Sequence, residues 1–271
     1  MSDSIEREQP PVVCCDLDGV IWRGDEPITP AAAGVQALRD AGLRVGFVSN
    51  NSSQPLAEVA DKLTRFGVPA EPDDVLTSAV AAASLLAGML APGTRVLACA
   101  GPGVVEALLS VGLTPVREQP AEAVVVGFHR DFDFDELDRA SSAVRDGARF
   151  VATNLDATYP MPGGRMLPGT GAITAAVAVA SGCQPLVAGK PERATVDLVR
   201  ARFGLRGVVV GDRPSSDGAL AAALDWPFGL VLSGVTAAVA PPGGEAIPSP
   251  PPPFVATDLG TLAPQLIAAL T

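Results

Sequence analysis

Short apolar runs alternate along this chain with longer stretches in which apolar residues recur at helical spacing, the pattern of strands covered by helices. In a first block, Val12-Val13-Cys14-Cys15 reads as a buried strand, 30–41 as a helix, Arg44-Val45-Gly46-Phe47-Val48 as a strand and 55–66 as a helix. A second block predicts helices over 78–90, 103–111 and 135–146, with strands over 95–100, 123–126 and 150–153. A loop rich in Gly and Pro, a small-residue helix over 172–181 and the strand Val208-Val209-Val210 follow. Strands that alternate with helices in this way predict parallel sheets. The proline-rich stretch 241–253 interrupts the pattern, but 254–259 reads as a further strand and helix start, so the stretch is a surface loop and not a domain boundary.

The polar residues of interest stand where apolar runs end, which is where open α/β sheets place their ligands. Asp16 and Asp18 follow the first strand two residues apart, so in an extended segment both side chains start toward one side. Two carboxylates so placed can share one metal and one phosphate. Ser49-Asn50-Asn51 follows the second strand and offers a hydroxyl, an amide and backbone N–H groups to an anion. Gly189-Lys190-Pro191 sets an ammonium ahead of a helix that begins near the proline. Val208-Val209-Val210 runs into Gly211-Asp212-Arg213-Pro214-Ser215-Ser216-Asp217, a second acidic pair at a strand end. Each element alone has an ordinary structural reading. Together, in this order, they point to phosphoryl chemistry.

The ordered set DLDGV, FVSNN, GKP and GDRPSSD resembles the haloacid dehalogenase (HAD) superfamily of phosphatases, and more closely its subfamily IIA, the NagD and p-nitrophenylphosphatase type. Residues 153–160, 167–171 and 231–236 are similar to segments of that subfamily in the same order, and the similarity runs from about Val12 to about Leu266. The resemblance implies an α/β fold: a doubly wound, Rossmann-like parallel-sheet core with an inserted α/β cap of the C2 type. The motifs fall in the outer blocks and are absent from the middle one, which places the core at 1–78 and 185–271 and the cap at 79–184.

Residue by residue, the resemblance makes Asp16 the nucleophile that forms an aspartyl-phosphate and Asp18 the general acid and base. Ser49, Asn50, Asn51 and Lys190 hold the phosphoryl oxygens. Mg²⁺ takes the side chains of Asp16 and Asp212 and the carbonyl of Asp18, with Asp217 behind them orienting bound water or Lys190. Subfamily members usually carry an acid where this chain has Ser215, and weaker metal binding is the expected consequence. The loop 154–164 matches the family's substrate-specificity loop, with Asp156 and Tyr159 as candidate contacts and Asn154 and Met161 behind them. No basic cluster occurs in that loop, which argues against a second phosphate on the substrate. Of the subfamily's substrates, glycerol 3-phosphate is favoured, with 2-phosphoglycolate and nucleoside monophosphates as alternatives. A phosphomutase would use the same nucleophile and acid, and a non-catalytic binding protein should have lost one of them. Cap-mediated homodimers are common in similar proteins.

Composition narrows the picture. The formal net charge of −11 argues against nucleic acid or an anionic membrane surface as partner, so an anionic small molecule needs local positive charge, from a divalent cation and Lys190. The polar segment 1–10 does not read as a signal peptide, and 78–91 is too short to span a bilayer; a cytoplasmic protein is expected. Cys14, Cys15, Cys99 and Cys183 show neither metal-site spacing nor a disulfide framework. Cys14 and Cys15 should point to opposite faces as packing residues. The single histidine, His129, reads as a turn or surface residue and argues against a Ser-His-Asp triad or a His-rich zinc site.

Overall fold

The computed structural model of the protein describes residues 10–161, 163, 165–237, 239 and 244–271. The reading of the amino-terminal tail therefore lies outside the described residues up to position 9, as do 241–243 of the proline-rich loop and 162 and 164 of the 154–164 loop.

Strand β1 (Val12–Cys15) is fully buried, because its alternating side chains enter two different cores. Val13 and Cys15 pack with helices α1 (Pro30–Asp40), α2 (Leu56–Arg65) and α9 (Leu259–Leu270). Val12 and Cys14 pack with α7 (Arg193–Phe203) and α8 (Ala219–Leu224). Both cysteines are free, and they face opposite layers as expected. The first sheet has the order β17-β14-β13-β1-β4-β5, built from β4 (Arg44–Ser49), β5 (Val75–Thr77), β13 (Gly207–Gly211), β14 (Phe228–Val231) and β17 (Phe254–Ala256) around β1, all parallel. Chain order moves outward from β1 on one side and from β13 on the other. The seam between β1 and β13 is thus a topological switch point, where open α/β sheets bind ligands.

The second sheet, also parallel, has the order β12-β9-β8-β6-β7: β6 (Arg95–Cys99), β7 (Thr114–Val116), β8 (Ala123–Val126), β9 (Arg149–Ala152) and β12 (Leu186–Val187). Helices α3 (Ser78–Ala87) and α4 (Pro102–Ser110) cover one face, and α5 (Phe134–Arg145) and α6 (Thr170–Ser181) the other. Its strand β12 lies past residue 184. Six small strands remain among the described residues, four of them forming the hairpin β2 (Trp22–Arg23) and β3 (Glu26–Pro27) and the pair β10 (Thr158–Pro160) and β11 (Met166–Pro168). Parallel β15 (Thr236–Ala237) and β16 (Glu245–Ala246) lie beside the motif after β13. No helix among the described residues is long and apolar enough to cross a membrane.

Candidate active site

Three strands of the first sheet end at one place. The N–H of Asp16 still donates to Val210 O at 2.8 Å, so the nucleophile candidate remains tied to the β1–β13 seam. The chain then turns tightly: Ile21 N donates to Leu17 O at 2.8 Å and Gly19 N to Trp22 O at 2.7 Å. Gly19 has φ +88°, and a Cβ there would collide with Asp212 Oδ2, so only glycine fits. This turn brings the Trp22 indole N–H to Asp18 Oδ1 at 3.0 Å. Lys62 Nζ lies 4.5 Å from the Trp22 ring centroid and donates to Gly24 O at 2.7 Å, which pins the hairpin. Trp22 was not anticipated as a site residue; a tryptophan four positions after an aspartate is too common to signal it.

Beyond β4, Ser49 Oγ accepts from Asn51 N at 3.0 Å, and the Asn51 side chain folds back to accept from Ser53 N at 3.0 Å. Asn50 joins the two sheets. Its Oδ1 accepts from Lys190 N at 2.8 Å, its Nδ2 donates to Asp156 Oδ2 at 3.1 Å, and its carbonyl accepts from Asn154 Nδ2 and Ser78 Oγ, both at 2.6 Å.

Lys190 Nζ donates to Asp16 Oδ1 at 2.7 Å, Asp217 Oδ1 at 2.6 Å and Val48 O at 2.9 Å, so every ammonium proton has an acceptor. Burial by itself would lower this pKa, but the carboxylates of Asp16 and Asp217 raise it above its ordinary value. Asp212 Oδ2 accepts from Val235 N at 2.6 Å, and its carbonyl accepts from Thr236 Oγ1 at 2.6 Å.

The carboxylates of Asp16, Asp212 and Asp217 lie within 4.8 Å of one another, all buried. Burial drives Asp212 up to about 7, helped by the charge of Asp217, and raises Asp16 well above its ordinary value against the pull of Lys190. Three buried acids against one ammonium leave negative charge uncompensated. A hard divalent cation with oxygen ligands fits that donor set and that deficit. Asp217 stands in the triangle itself, but both its oxygens already accept protein donors, Lys190 Nζ and Arg213 N at 3.1 Å. Ser215 is exposed, its hydroxyl donating to Glu245 Oε1 at 2.5 Å, and takes no part in the triangle.

A cleft of about 540 Å³ opens over this centre, walled by the first sheet's loops on one side and the second sheet's on the other. Asp18, Ser49, Asn51, Asp156 and Tyr159 all line it. Asn154 is buried, its amide held by Asn50 O and by Thr170 Oγ1 at 3.1 Å, so it ties the loop down. Asp156 is raised by burial, against Arg213 and the Asn50 amide. Tyr159 stacks edge-on against Phe128, with ring centroids 5.0 Å apart.

Two expectations change. Lys62, Arg65, Arg117 and Arg130 line the cleft from outside the 154–164 loop, so the absence of basic residues from that loop is no guide to the cleft's charge. His129 is buried, not a surface residue: Nδ1 lies 3.0 Å from Gly127 O and Nε2 2.7 Å from Glu136 Oε2. Its partner sits in the first turn of α5, and no local pattern in the chain announces the pair.

The carboxylate triangle at the switch point of a doubly wound sheet defines a phosphoryl-transfer type of α/β hydrolase site, and comparison with known proteins agrees. A model of haloacid dehalogenase-like hydrolases matches residues 13–114, and a HAD-hydrolase-like model matches 187–262. The D-glycerol 3-phosphate phosphatase of Mycobacterium tuberculosis is 42% identical over 226 residues, covering 82% of this chain and 63% of that protein. This chain thus spans less than two thirds of that relative's length. Human glycerol-3-phosphate phosphatase is 36% identical over 251 residues, covering 82% of this chain and 78% of that one. Among solved structures, the mycobacterial glycerol phosphate phosphatase in complex with magnesium superposes with a TM-score of 0.83 at 38% identity, covering 97% of this chain and 79% of that chain. The p-nitrophenyl phosphatase of Archaeoglobus fulgidus gives 0.81 at 29% identity, covering 96% and 100%. The chain belongs to the haloacid dehalogenase-like hydrolase family, in subfamily IIA.

Proposed function

We propose that this protein is a Mg²⁺-dependent phosphomonoesterase that works through an aspartyl-phosphate on Asp16. The observation that carries the reading is the convergence of Asp16, Lys190 and Asp217 through one ammonium, beside Asp212 and under a cleft lined by Ser49. Lys190 orients the Asp16 carboxylate by holding Oδ1, which leaves Oδ2 to attack phosphorus. Asp18 accepts the Trp22 N–H on Oδ1, so its own exchangeable proton belongs on Oδ2, for delivery to the leaving oxygen. Burial raises the Asp18 pKa, against Lys62 and the indole N–H, which favours the protonated acid needed in that step. Ser49 and the amides of Asn50 and Asn51 bind the phosphoryl oxygens. The side chains of Asp16 and Asp212 with the Asp18 carbonyl would hold Mg²⁺, which supplies positive charge to the transferring group.

The names of the mycobacterial and human relatives favour glycerol 3-phosphate as substrate. Residues 79–184, with β12 just beyond them completing their sheet, act as the cap, bringing Asp156 and Tyr159 over the core as contacts for the polar tail. All four cysteines are free, as a reducing compartment would keep them, which supports a cytoplasmic location.

The test is phosphate release from glycerol 3-phosphate, 2-phosphoglycolate, nucleoside monophosphates and p-nitrophenyl phosphate, with and without Mg²⁺. Metal-dependent release, fastest with glycerol 3-phosphate, is expected. No release from any ester would overturn the phosphatase reading, and return of the phosphoryl group to product without free phosphate would indicate a mutase.

A further inference from the structure

The proposed reaction makes no use of a second polar cluster, in the other sheet. Cys99 ends β6, His129 follows β8 through Gly127, and Glu136 lies in the first turn of α5, where Asp133 Oδ1 accepts its N–H at 2.8 Å. All three residues are buried. One ligand atom from each lies within 4.8 Å of the others. Cys99 otherwise packs among Val124, Val126, Ala140 and Ile173, an apolar layer.

The imidazole is oriented as a ligand is. Gly127 O can only accept, so the Nδ1 that lies 3.0 Å from it carries a proton, and Nε2 is the nitrogen turned to Glu136, 2.7 Å away. Metal-bound histidines are commonly fixed by this kind of N–H to carbonyl bond on the far nitrogen. One more proton must lie between Nε2 and the carboxylate. With the Cys99 thiol, the cluster then carries no net charge. Exchanging the thiol proton and the shared proton for one divalent cation gives thiolate, neutral imidazole, carboxylate and M²⁺, again with no net charge. Two protons leave, one cation enters, and no uncompensated charge is buried.

We propose that Cys99 Sγ, His129 Nε2 and a Glu136 carboxylate oxygen form a binding site for a zinc-type transition-metal cation, separate from the carboxylate centre. Mixed sulfur, nitrogen and oxygen donors suit Zn²⁺ or Co²⁺, whereas Mg²⁺ takes oxygen ligands and stays at the aspartates. Metal–ligand bonds of about 2.0–2.3 Å imply ligand-to-ligand edges of about 3.5 Å, so His129 Nε2 and Glu136 Oε2, 2.7 Å apart, move slightly apart to admit a cation while Cys99 Sγ, within 4.8 Å of them, closes in. Two of the donors, Cys99 and His129, also sit at or just past the carboxyl ends of parallel strands, where α/β sheets collect ligands. Because Phe128 precedes His129 and stacks on Tyr159, an occupied site would anchor one wall of the cleft. The spacing of the cysteines in the chain hides this site, since its donors come from three separate elements.

The experiment is Co²⁺ titration of the whole chain followed by absorbance, in excess Mg²⁺ to fill the aspartate centre and in a Cys183→Ser background to remove the exposed thiol. A sulfur-to-cobalt charge-transfer band is expected, with tetrahedral d–d bands from the three protein donors and one water, reversed by Zn²⁺. Cys99→Ser should abolish the charge-transfer band, and His129→Asn should weaken Co²⁺ binding by about tenfold or more. Absence of the band, or its survival in Cys99→Ser, overturns the proposal. Should either variant fail to fold by circular dichroism, alkylation of Cys99 in the same Cys183→Ser protein decides: Zn²⁺ protects the thiol where Mg²⁺ does not, and equal alkylation with either ion refutes the site. The readout is binding, so it is independent of whether the phosphatase reading holds.

Discussion

Lys190 Nζ lies 2.6 Å from Asp217 Oδ1, and both side chains are buried, so the pair that sets the ammonium against Asp16 is held by the fold and is shielded from solvent. Removing the cation from such a pair leaves carboxylates buried without a partner. Lys190→Met should therefore destabilise the metal-free protein by about 3 kcal/mol or more. Urea unfolding in the presence of a chelator measures this, and an unchanged midpoint would contradict the buried pairing.

Asp16→Asn keeps the shape of the side chain but removes the proposed nucleophile. Phosphate release should fall by about 10⁴-fold or more while the chain stays folded. Turnover within a few fold of wild type, with normal thermal unfolding, would refute the assignment.

Asp212 sets a dependence on pH and metal. Its folded pKa, about 7, lies above its ordinary value of 3.8. The stability it contributes without metal is therefore fully present below the ordinary value and is lost as pH rises through the folded one. In chelator, the thermal midpoint should drop between about pH 5 and about pH 8, and Mg²⁺, which binds the ionised set, should raise it more at the higher pH. Equal stabilisation by Mg²⁺ at both pH values would count against a carboxylate metal centre.

A Cβ on Gly234 would collide with the Asp212 carboxylate. Gly234→Ala should push that carboxylate out of place and weaken Mg²⁺ activation by about 10–100-fold, the scale seen when a ligand's support is lost. Titration of activity with Mg²⁺ is the measurement; an unshifted midpoint would mean that Asp212 is not a ligand.

Asp258 caps α9, its Oδ1 accepting from Thr261 N at 2.9 Å. Slight burial would raise its pKa, but the N–H and hydroxyl donors around it hold it below the ordinary carboxylate value. Asp258→Ala should cost about 1 kcal/mol near neutral pH, and Asp258→Asn much less. Because the folded pKa is lowered, the contribution is present above the ordinary value and fades as pH falls through the folded one. Thermal unfolding of both variants across that range tests this.

Much of the first sheet can be read in the chain because its strands are buried on both faces. Runs such as Val208-Val209-Val210 have no polar alternation to blur them, and the sequence pattern places helices within a residue or two of Pro30–Asp40 on the first sheet and Phe134–Arg145 on the second. Short pieces escaped: β7 and the β2–β3 hairpin are too brief to carry a period, and β5 runs directly into α3. The core motifs were legible because a strand end is a local feature. His129 was misjudged for the opposite reason, since charged Arg130 and Asp131 follow it in the chain while its own environment is supplied by Glu136 and Phe132.

Local chemistry sufficed to single out Asp16, Ser49, Lys190 and Asp212, which the fold brings to one cleft, because each is announced by the apolar run, glycine or proline beside it. Which oxygen each donor holds was beyond it. Trp22 on Asp18, Asn50 clamped between the two sheets, Asp217 turned to Lys190 and the Cys99–His129–Glu136 cluster all depend on elements brought together from distant or oppositely facing parts of the chain. A hydrogen bond needs placement to within a few tenths of an ångström, and that placement comes from the packing of whole layers rather than from any residue's neighbours in the chain.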